Sequence, residues 1–306
     1  MRKPLWAVFL AAGLWLLPGS GRAALFEDGD SVCFLGDSIT AGGGYQTVIS
    51  NYYLTRFPER RIRFVNAGRA GDTAGGSLKR LQEDVIDRKP NMVAIMFGMN
   101  DVNRRAYIAD PGPEETAAQR DALLRFKENL TAVVGRLRAG LGQPKLLFLT
   151  PTPFDETAVL AKDNNQPGCN DGLARCAEIV RELAAASSGM LVDFHGPMTA
   201  LNLEQQQKDP EWTIIGGDRV HPGALGHLMQ AWLFLKKQGA PAVVSKVAVD
   251  ATTGRAVESV NAEVSAIAAA GGGVTFTVLE KSLPFPIDPA AAMVLGVLPI
   301  ERDLNR

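Results

Sequence analysis

The feature that most constrains this chain is its alternation of short, wholly apolar runs with longer stretches of helical spacing. Residues 31–35 (SVCFL), 62–65, 92–97 (MVAIMF), 146–149 and 191–194 read as strands. Residues 45–57, 78–88, 117–138, 173–186 and 225–237 read as helices. The second helix rests on Leu78, Leu81, Val85 and Ile86, and the third on Leu123, Leu124, Leu130, Val133, Val134 and Leu137. Strands that are apolar throughout and separated by helices predict a parallel sheet covered on both faces, an α/β architecture. Crossovers in such sheets are right-handed, and their sites form beyond the carboxyl ends of the strands. The loops after the first three strands are therefore the places to look for chemistry.

The two ends of the chain depart from this alternation. Arg2 and Lys3 precede an apolar run over residues 5–17, which Pro18-Gly19-Ser20-Gly21 breaks. Small residues follow at Gly21 and Ala23. This is the layout of a signal peptide, residues 1–23, cleaved after Ala23. The run is shorter than the ~20 residues that a bilayer span needs. The expectation is an exported protein, periplasmic or extracellular, with no stable membrane insertion after cleavage. From about residue 242 the helical alternation stops. Residues 243–249 and 274–279 look like strands, with turn signals at Thr252-Thr253-Gly254 and Gly271-Gly272-Gly273. The expected division is a main domain over 24–240 and a small β-rich appendage over 241–306.

Charge excludes one class of function. The formal net charge is -1 over 306 residues, whereas nucleic-acid binding usually leaves a strong basic excess. The only basic clusters are pairs such as Arg60-Arg61 and Arg104-Arg105, whose plain reading is solvated loop charge. Three cysteines and three histidines, with no CxxC, argue against a zinc site. Cys33 reads as a small buried hydrophobe. Cys169 and Cys176 are either two free thiols or a local disulfide that export would permit.

The loop after the first strand holds Gly36-Asp37-Ser38-Ile39-Thr40, then Ala41 and three glycines. A serine in that position is well placed for a nucleophile, but a hydroxyl needs a base within hydrogen-bond reach and a third group to orient that base. Of the three histidines, His195 follows the fifth strand and His227 falls on the last helix. His221 lies in Asp218-Arg219-Val220-His221-Pro222-Gly223, where a carboxylate three residues away can meet the imidazole. An Asp capping the next helix, with His as bystander, is the alternative for that pattern alone. The loops after strands two and three are Asn66-Ala67-Gly68-Arg69-Ala70-Gly71-Asp72-Thr73 and Gly98-Met99-Asn100-Asp101. A glycine N–H and an asparagine amide are donors that an oxyanion hole uses, though both residue types are also common in turns. Asp37 and Asp101 read as structural carboxylates that satisfy backbone N–H groups.

Taken in order, GDSIT, NAGRAGDT, GMND and DRVHP resemble the four blocks of the GDSL/SGNH hydrolase superfamily, over roughly residues 32–235. The resemblance implies a flavodoxin-like three-layer α/β/α sandwich with strand order 2-1-3-4-5. It implies Ser38 as nucleophile with Asp218 and His221, an oxyanion hole from Ser38, Gly71 and Asn100, and ester hydrolysis through an acyl-serine with no metal or other cofactor. The expected substrate is a small-molecule or polysaccharide ester, with short acyl groups such as acetyl on carbohydrate first. A lysophospholipase or thioesterase of longer chains is the alternative within the class. A non-catalytic carbohydrate-binding protein on the same scaffold is the alternative outside it.

Overall fold

The computed structural model describes residues 25–306. The expected signal peptide lies outside the described residues. Strand β1 (Ser31–Gly36) is followed by a single turn, α1 (Ser38–Ala41), and by α2 (Gly44–Arg56). Next come β2 (Arg63–Gly68), the short helices α3 (Ala74–Ser77) and α4 (Leu81–Asp84), and β3 (Met92–Met96). The long α5 (Pro113–Leu141) leads to β4 (Lys145–Leu149), α6 (Cys169–Ala186), β5 (Met190–Val192), α7 (His195–Gln206) and α8 (Ala224–Gln238).

The five strands form one sheet in the order β2-β1-β3-β4-β5, every neighbouring pair parallel. Helices α2 and α8 pack together, as do α5 and α6. The fold is the three-layer α/β/α sandwich of the SGNH hydrolases, with extra antiparallel strands at the C-terminus. β1, β3 and all of β4 after its first residue are buried, which is why they read as unbroken apolar runs. Edge strand β2 is only partly covered. Aromatic rings fill the core, with Phe26 stacked on Tyr53 at 4.9 Å and Tyr45 edge-on to Phe34 at 5.8 Å. The chain runs from β1 outward to β2 and then returns to β3. The topological switch point therefore falls at the carboxyl ends of β1 and β3, where open α/β sheets bind their ligands.

Two elements differ from the sequence reading. The helix expected over 78–88 is reduced to the short α4 and a 3-10 turn, Ile86–Arg88. Arg80 falls at the break, and its guanidinium turns inward to the carbonyls of Gly36 and Ala67. Helix α7 had no strong apolar stripe to announce it, because its buried face includes Asn202 and Gln205 beside Met198 and Leu201.

The tail forms two antiparallel pairs, β6 (Lys246–Asp250) with β7 (Arg255–Val260) and β8 (Ala262–Ala270) with β9 (Gly273–Glu280), then a 3-10 segment and α9 (Ile300–Leu304). It is strapped to the body by Arg56, which donates to the carbonyls of Val243 and Leu304, and by Trp232 Nε1, which donates to Asp303 at 3.1 Å. Among the described residues no helix is long and apolar enough to cross a membrane.

Candidate active site

Ser38 is the first residue of α1, directly beyond the end of β1. Asp37 caps that turn, its Oδ1 accepting the Ile39 N–H at 3.0 Å. The Thr40 carbonyl accepts from Asn66 Nδ2 at 2.9 Å and Gln46 Nε2 at 2.8 Å, so the turn is held from both sides. Gly68 passes directly beneath it; a Cβ there would lie 2.2 Å from the Ala41 nitrogen, which only glycine avoids. As a first-turn residue, Ser38 has a backbone N–H with no acceptor inside its own helix.

Asp218 and His221 sit on a tight loop ahead of α8. The loop is closed by a bridge between Ile215 and Pro222 and by the Gly216 N–H donating to the His221 carbonyl at 2.7 Å. Asp218 Oδ1 accepts the N–H groups of Val220 (3.0 Å) and His221 (2.9 Å). Its Oδ2 lies 2.6 Å from His221 Nδ1, and His221 Nε2 lies 2.7 Å from Ser38 Oγ. Burial works against the Asp218 carboxylate. The hydrogen bonds from the His221 ring and from the backbone of His221 and Val220 outweigh it and hold the carboxyl below its usual range. A charged Asp218 puts the imidazole proton on Nδ1 and leaves Nε2 to accept from the Ser38 hydroxyl.

The other two loops meet the same end of the sheet. Gly71 adopts φ +73°, a left-handed conformation that favours glycine, with open space around its Cα. Asn100 Nδ2 donates to the Asp72 carbonyl at 2.9 Å, which fixes the amide and leaves its second N–H available. Arg80, only 5% exposed in its side chain, ties these loops together. It pairs with Asp72 at 2.7 Å and Asp84 at 2.9 Å, and it donates to the carbonyls of Ala67 (2.8 Å) and Gly36 (3.1 Å). Arg219, buried and at φ +64°, does similar work behind Asp218, donating to the carbonyls of Asp155 and Ala158 at 2.8 and 2.9 Å. Sequence reasoning passed over both arginines, since nothing in a lone Arg announces that its guanidinium is spent on main-chain carbonyls.

Asp37 is buried beneath these loops and Asp101 is half-buried beside it. Asp101 accepts the N–H groups of Ala74 at 2.9 Å and Gly98 at 3.1 Å, joining α3 to the loop after β3. Burial pushes Asp37 up to about 6 against the pull of the Ile39 N–H. Burial, helped by the charge of Asp37, pushes Asp101 up to about 7 against its N–H donors. A carboxyl whose pKa is raised by folding binds more protons in the native state. It therefore lowers stability as pH rises from its unfolded value through its folded one. Buried His195 and His227 are lowered by desolvation and act in the opposite sense, but only below the ordinary imidazole range. The expected result is that the wild type loses stability between about pH 4 and 7 relative to Asp101→Asn, with a slope difference approaching ~1.4 kcal/mol per pH unit inside that window and none above about pH 8. Urea titrations at several pH values measure it, and parallel slopes would refute it.

The remaining candidates stay away from Ser38. His195 is buried against Asn170 at 3.1 Å, and His227 bonds Gln230 at 3.1 Å beside the Tyr45 ring. Cys33, Cys169 and Cys176 are free and buried. The possible local bridge is excluded because Cys169 and Cys176 lie on one helix, α6. Seven residues of helix rise ~10 Å, beyond the Cα reach of a disulfide.

Beside the Ser38–His221 pair opens a cleft of about 580 Å³, bordered by Asn100, His221 and Asp218 on the catalytic side. Another cavity, about 430 Å³, lies at the amino-terminal ends of the strands by Met92 and Lys145, and none of these groups lines it.

Known proteins share this arrangement. A gut microbial diltiazem-metabolizing enzyme of known structure is 33% identical and superposes with a TM-score of 0.85 over 93% of this chain, which spans 66% of that longer one. An acetylxylan esterase from Geobacillus stearothermophilus is 28% identical over 226 residues, 69% of this chain and 94% of the relative. A crystal structure of an acetylxylan esterase from that organism covers 70% of this chain and 95% of its own at 25% identity, with a TM-score of 0.54. The model of the GDSL-like lipase/acylhydrolase family matches residues 34–229, well over half of the sequence, and the chain belongs to that family as a serine hydrolase of ester bonds.

Proposed function

We propose that the chain removes short acyl groups, acetyl foremost, from carbohydrate esters through an acyl-serine on Ser38. The observation that carries this reading is the continuous line of hydrogen bonds from Ser38 Oγ through His221 to Asp218, at 2.7 and 2.6 Å. His221 Nε2 takes the hydroxyl proton as Ser38 attacks the ester carbonyl, and Asp218 stabilises the imidazolium that forms. The backbone N–H groups of Ser38 and Gly71 and the Asn100 amide receive the oxyanion. His221 then protonates the departing alcohol, and water repeats the sequence on the acyl-enzyme. Similarity to an acetylxylan esterase supports the carbohydrate substrate. The layout of residues 1–23 supports export with cleavage after Ala23, leaving a catalytic unit over 24–240 and an appendage over 241–306; a mature protein that begins at Met1 would refute the cleavage.

A chain-length series of nitrophenyl esters, run beside acetylated xylan, tests the acyl preference. Acetyl should give the highest kcat/KM, and a rise toward long chains would overturn the reading. Asn100→Ala should lower kcat by roughly 100- to 1,000-fold with little change in KM, because the oxyanion forms only in the transition state. A pure KM effect would remove Asn100 from the oxyanion hole.

A further inference from the structure

The cleft beside His221 carries three cations with no ion-pair partner among the described residues. Arg104, Arg105 and Lys162 all border it. Among the described residues none of the three has a carboxylate within ion-pair distance, whereas Arg60, Arg61, Arg69, Arg80 and Arg181 each have one. Among the described residues the only acid on the cleft wall is Asp218, which is committed to His221. Asp163 adjoins Lys162 in sequence and is exposed, but it does not border the cleft.

The cations are delivered by the same loops that build the site. Asn103, at φ +58°, turns the chain after Asn100 into the 3-10 turn Arg104–Ala106. The charge of Arg104 is felt at Asp37, the neighbour of Ser38. Lys162 comes from the long loop after β4. That loop is pinned to the catalytic turn where Asn164 Nδ2 donates to the Asp218 carbonyl at 3.1 Å and Asn164 Oδ1 accepts from Arg219 Nε at 3.1 Å. The rest of the lining is mostly amide, from Asn103, Asn164 and Gln166. Amides suit sugar hydroxyls and offer an acyl chain little apolar surface.

Resting on the esterase reading above, we propose that the alcohol part of the substrate is an acidic saccharide, with a carboxylate held by Arg104, Arg105 and Lys162 while the acyl group faces Ser38. A guanidinium fork matches a carboxylate in two parallel hydrogen bonds, and a cleft of one sign of charge concentrates an anionic substrate. The cleft volume falls within the range of sites that enclose a small ligand.

The test compares kcat/KM for mono-acetylated digalacturonate, mono-acetylated xylobiose and acetylglycerol phosphate. The galacturonate should be favoured over xylobiose by about tenfold at low ionic strength, with the preference shrinking as salt screens the charges. Arg105→Glu, at an exposed position with no partner to lose, should invert the ratio; Arg104→Ala with Lys162→Ala should bring it toward one. Equal rates on the two saccharides, or a preference that salt and Arg105→Glu leave untouched, would overturn the inference while leaving the esterase reading intact. Faster cleavage of acetylglycerol phosphate than of either saccharide would overturn the sugar carboxylate. No cleavage of any ester, p-nitrophenyl acetate included, would overturn both readings.

Discussion

Ser38→Ala is expected to lower turnover of p-nitrophenyl acetate by roughly 10⁴- to 10⁶-fold and to abolish labelling by a fluorophosphonate probe. The size of the loss follows from the geometry. His221 Nε2 has the Ser38 hydroxyl as its partner at 2.7 Å, and among the described residues no other serine, threonine or cysteine side chain bonds that nitrogen. Without Oγ, the imidazole has no proton to take and the carbonyl has no nucleophile. The donors for the oxyanion survive the substitution, so a small water-mediated rate remains. The fold should stand. The Ser38 side chain is half-buried and bonds only His221, while the features that shape its turn are the Asp37 cap and the Asn66 and Gln46 clamps on Thr40. A melting midpoint within a few degrees of wild type is therefore expected. Wild-type turnover in the variant would remove Ser38 from the mechanism.

The contrast between Ser38 and its supports shows how the sequence carries this molecule. The parallel sheet was legible because β1, β3 and β4 are buried on both faces, and burial on both faces leaves an unbroken apolar signature. The candidate site residues were legible because Ser38, Gly71 and Asn100 lie in loops that follow strand ends, because Asp218 and His221 stand three apart ahead of a helix, and because four short motifs occur in order. What escaped had no such signature. Helix α7 buries Asn202 and Gln205, which bond inside the protein, so its buried face does not look apolar. Strand β8, the partner of the expected strand at 274–279, is exposed along most of its length, and an Ala-rich strand with no buried face shows no alternation. Arg104 and Arg105 looked like solvated loop charge. Only the fold reveals that they share a cleft with Lys162, 57 residues from Arg105, and with His221.

Arg80 is the sharpest case of a residue whose work the sequence conceals, and its removal should be the largest structural lesion at the site. Arg80→Ala leaves the buried Asp72 carboxylate without its cation and the carbonyls of Gly36 and Ala67 without the guanidinium donors. Breaking a buried pair from one side typically costs about 3–5 kcal/mol, which is a fall of roughly 10 °C in melting midpoint for a chain of this size. Activity should fall as well. Gly36 ends the strand before Ser38, and Asp72 follows Gly71 and receives the Asn100 amide, so the same side chain sets the spacing between the proposed nucleophile and two proposed oxyanion donors. The loss should appear in kcat more than in KM, since transition-state contacts are the ones displaced. Arg80→Lys, which keeps the charge but not the fork, should fall between the two. The half-exposed pair Arg181–Asp193, at 2.9 Å, supplies the comparison: Arg181→Ala should cost about 1 kcal/mol, well below the loss at Arg80. An Arg80→Ala variant that melts and turns over like wild type would mean that the loops hold their spacing without the guanidinium.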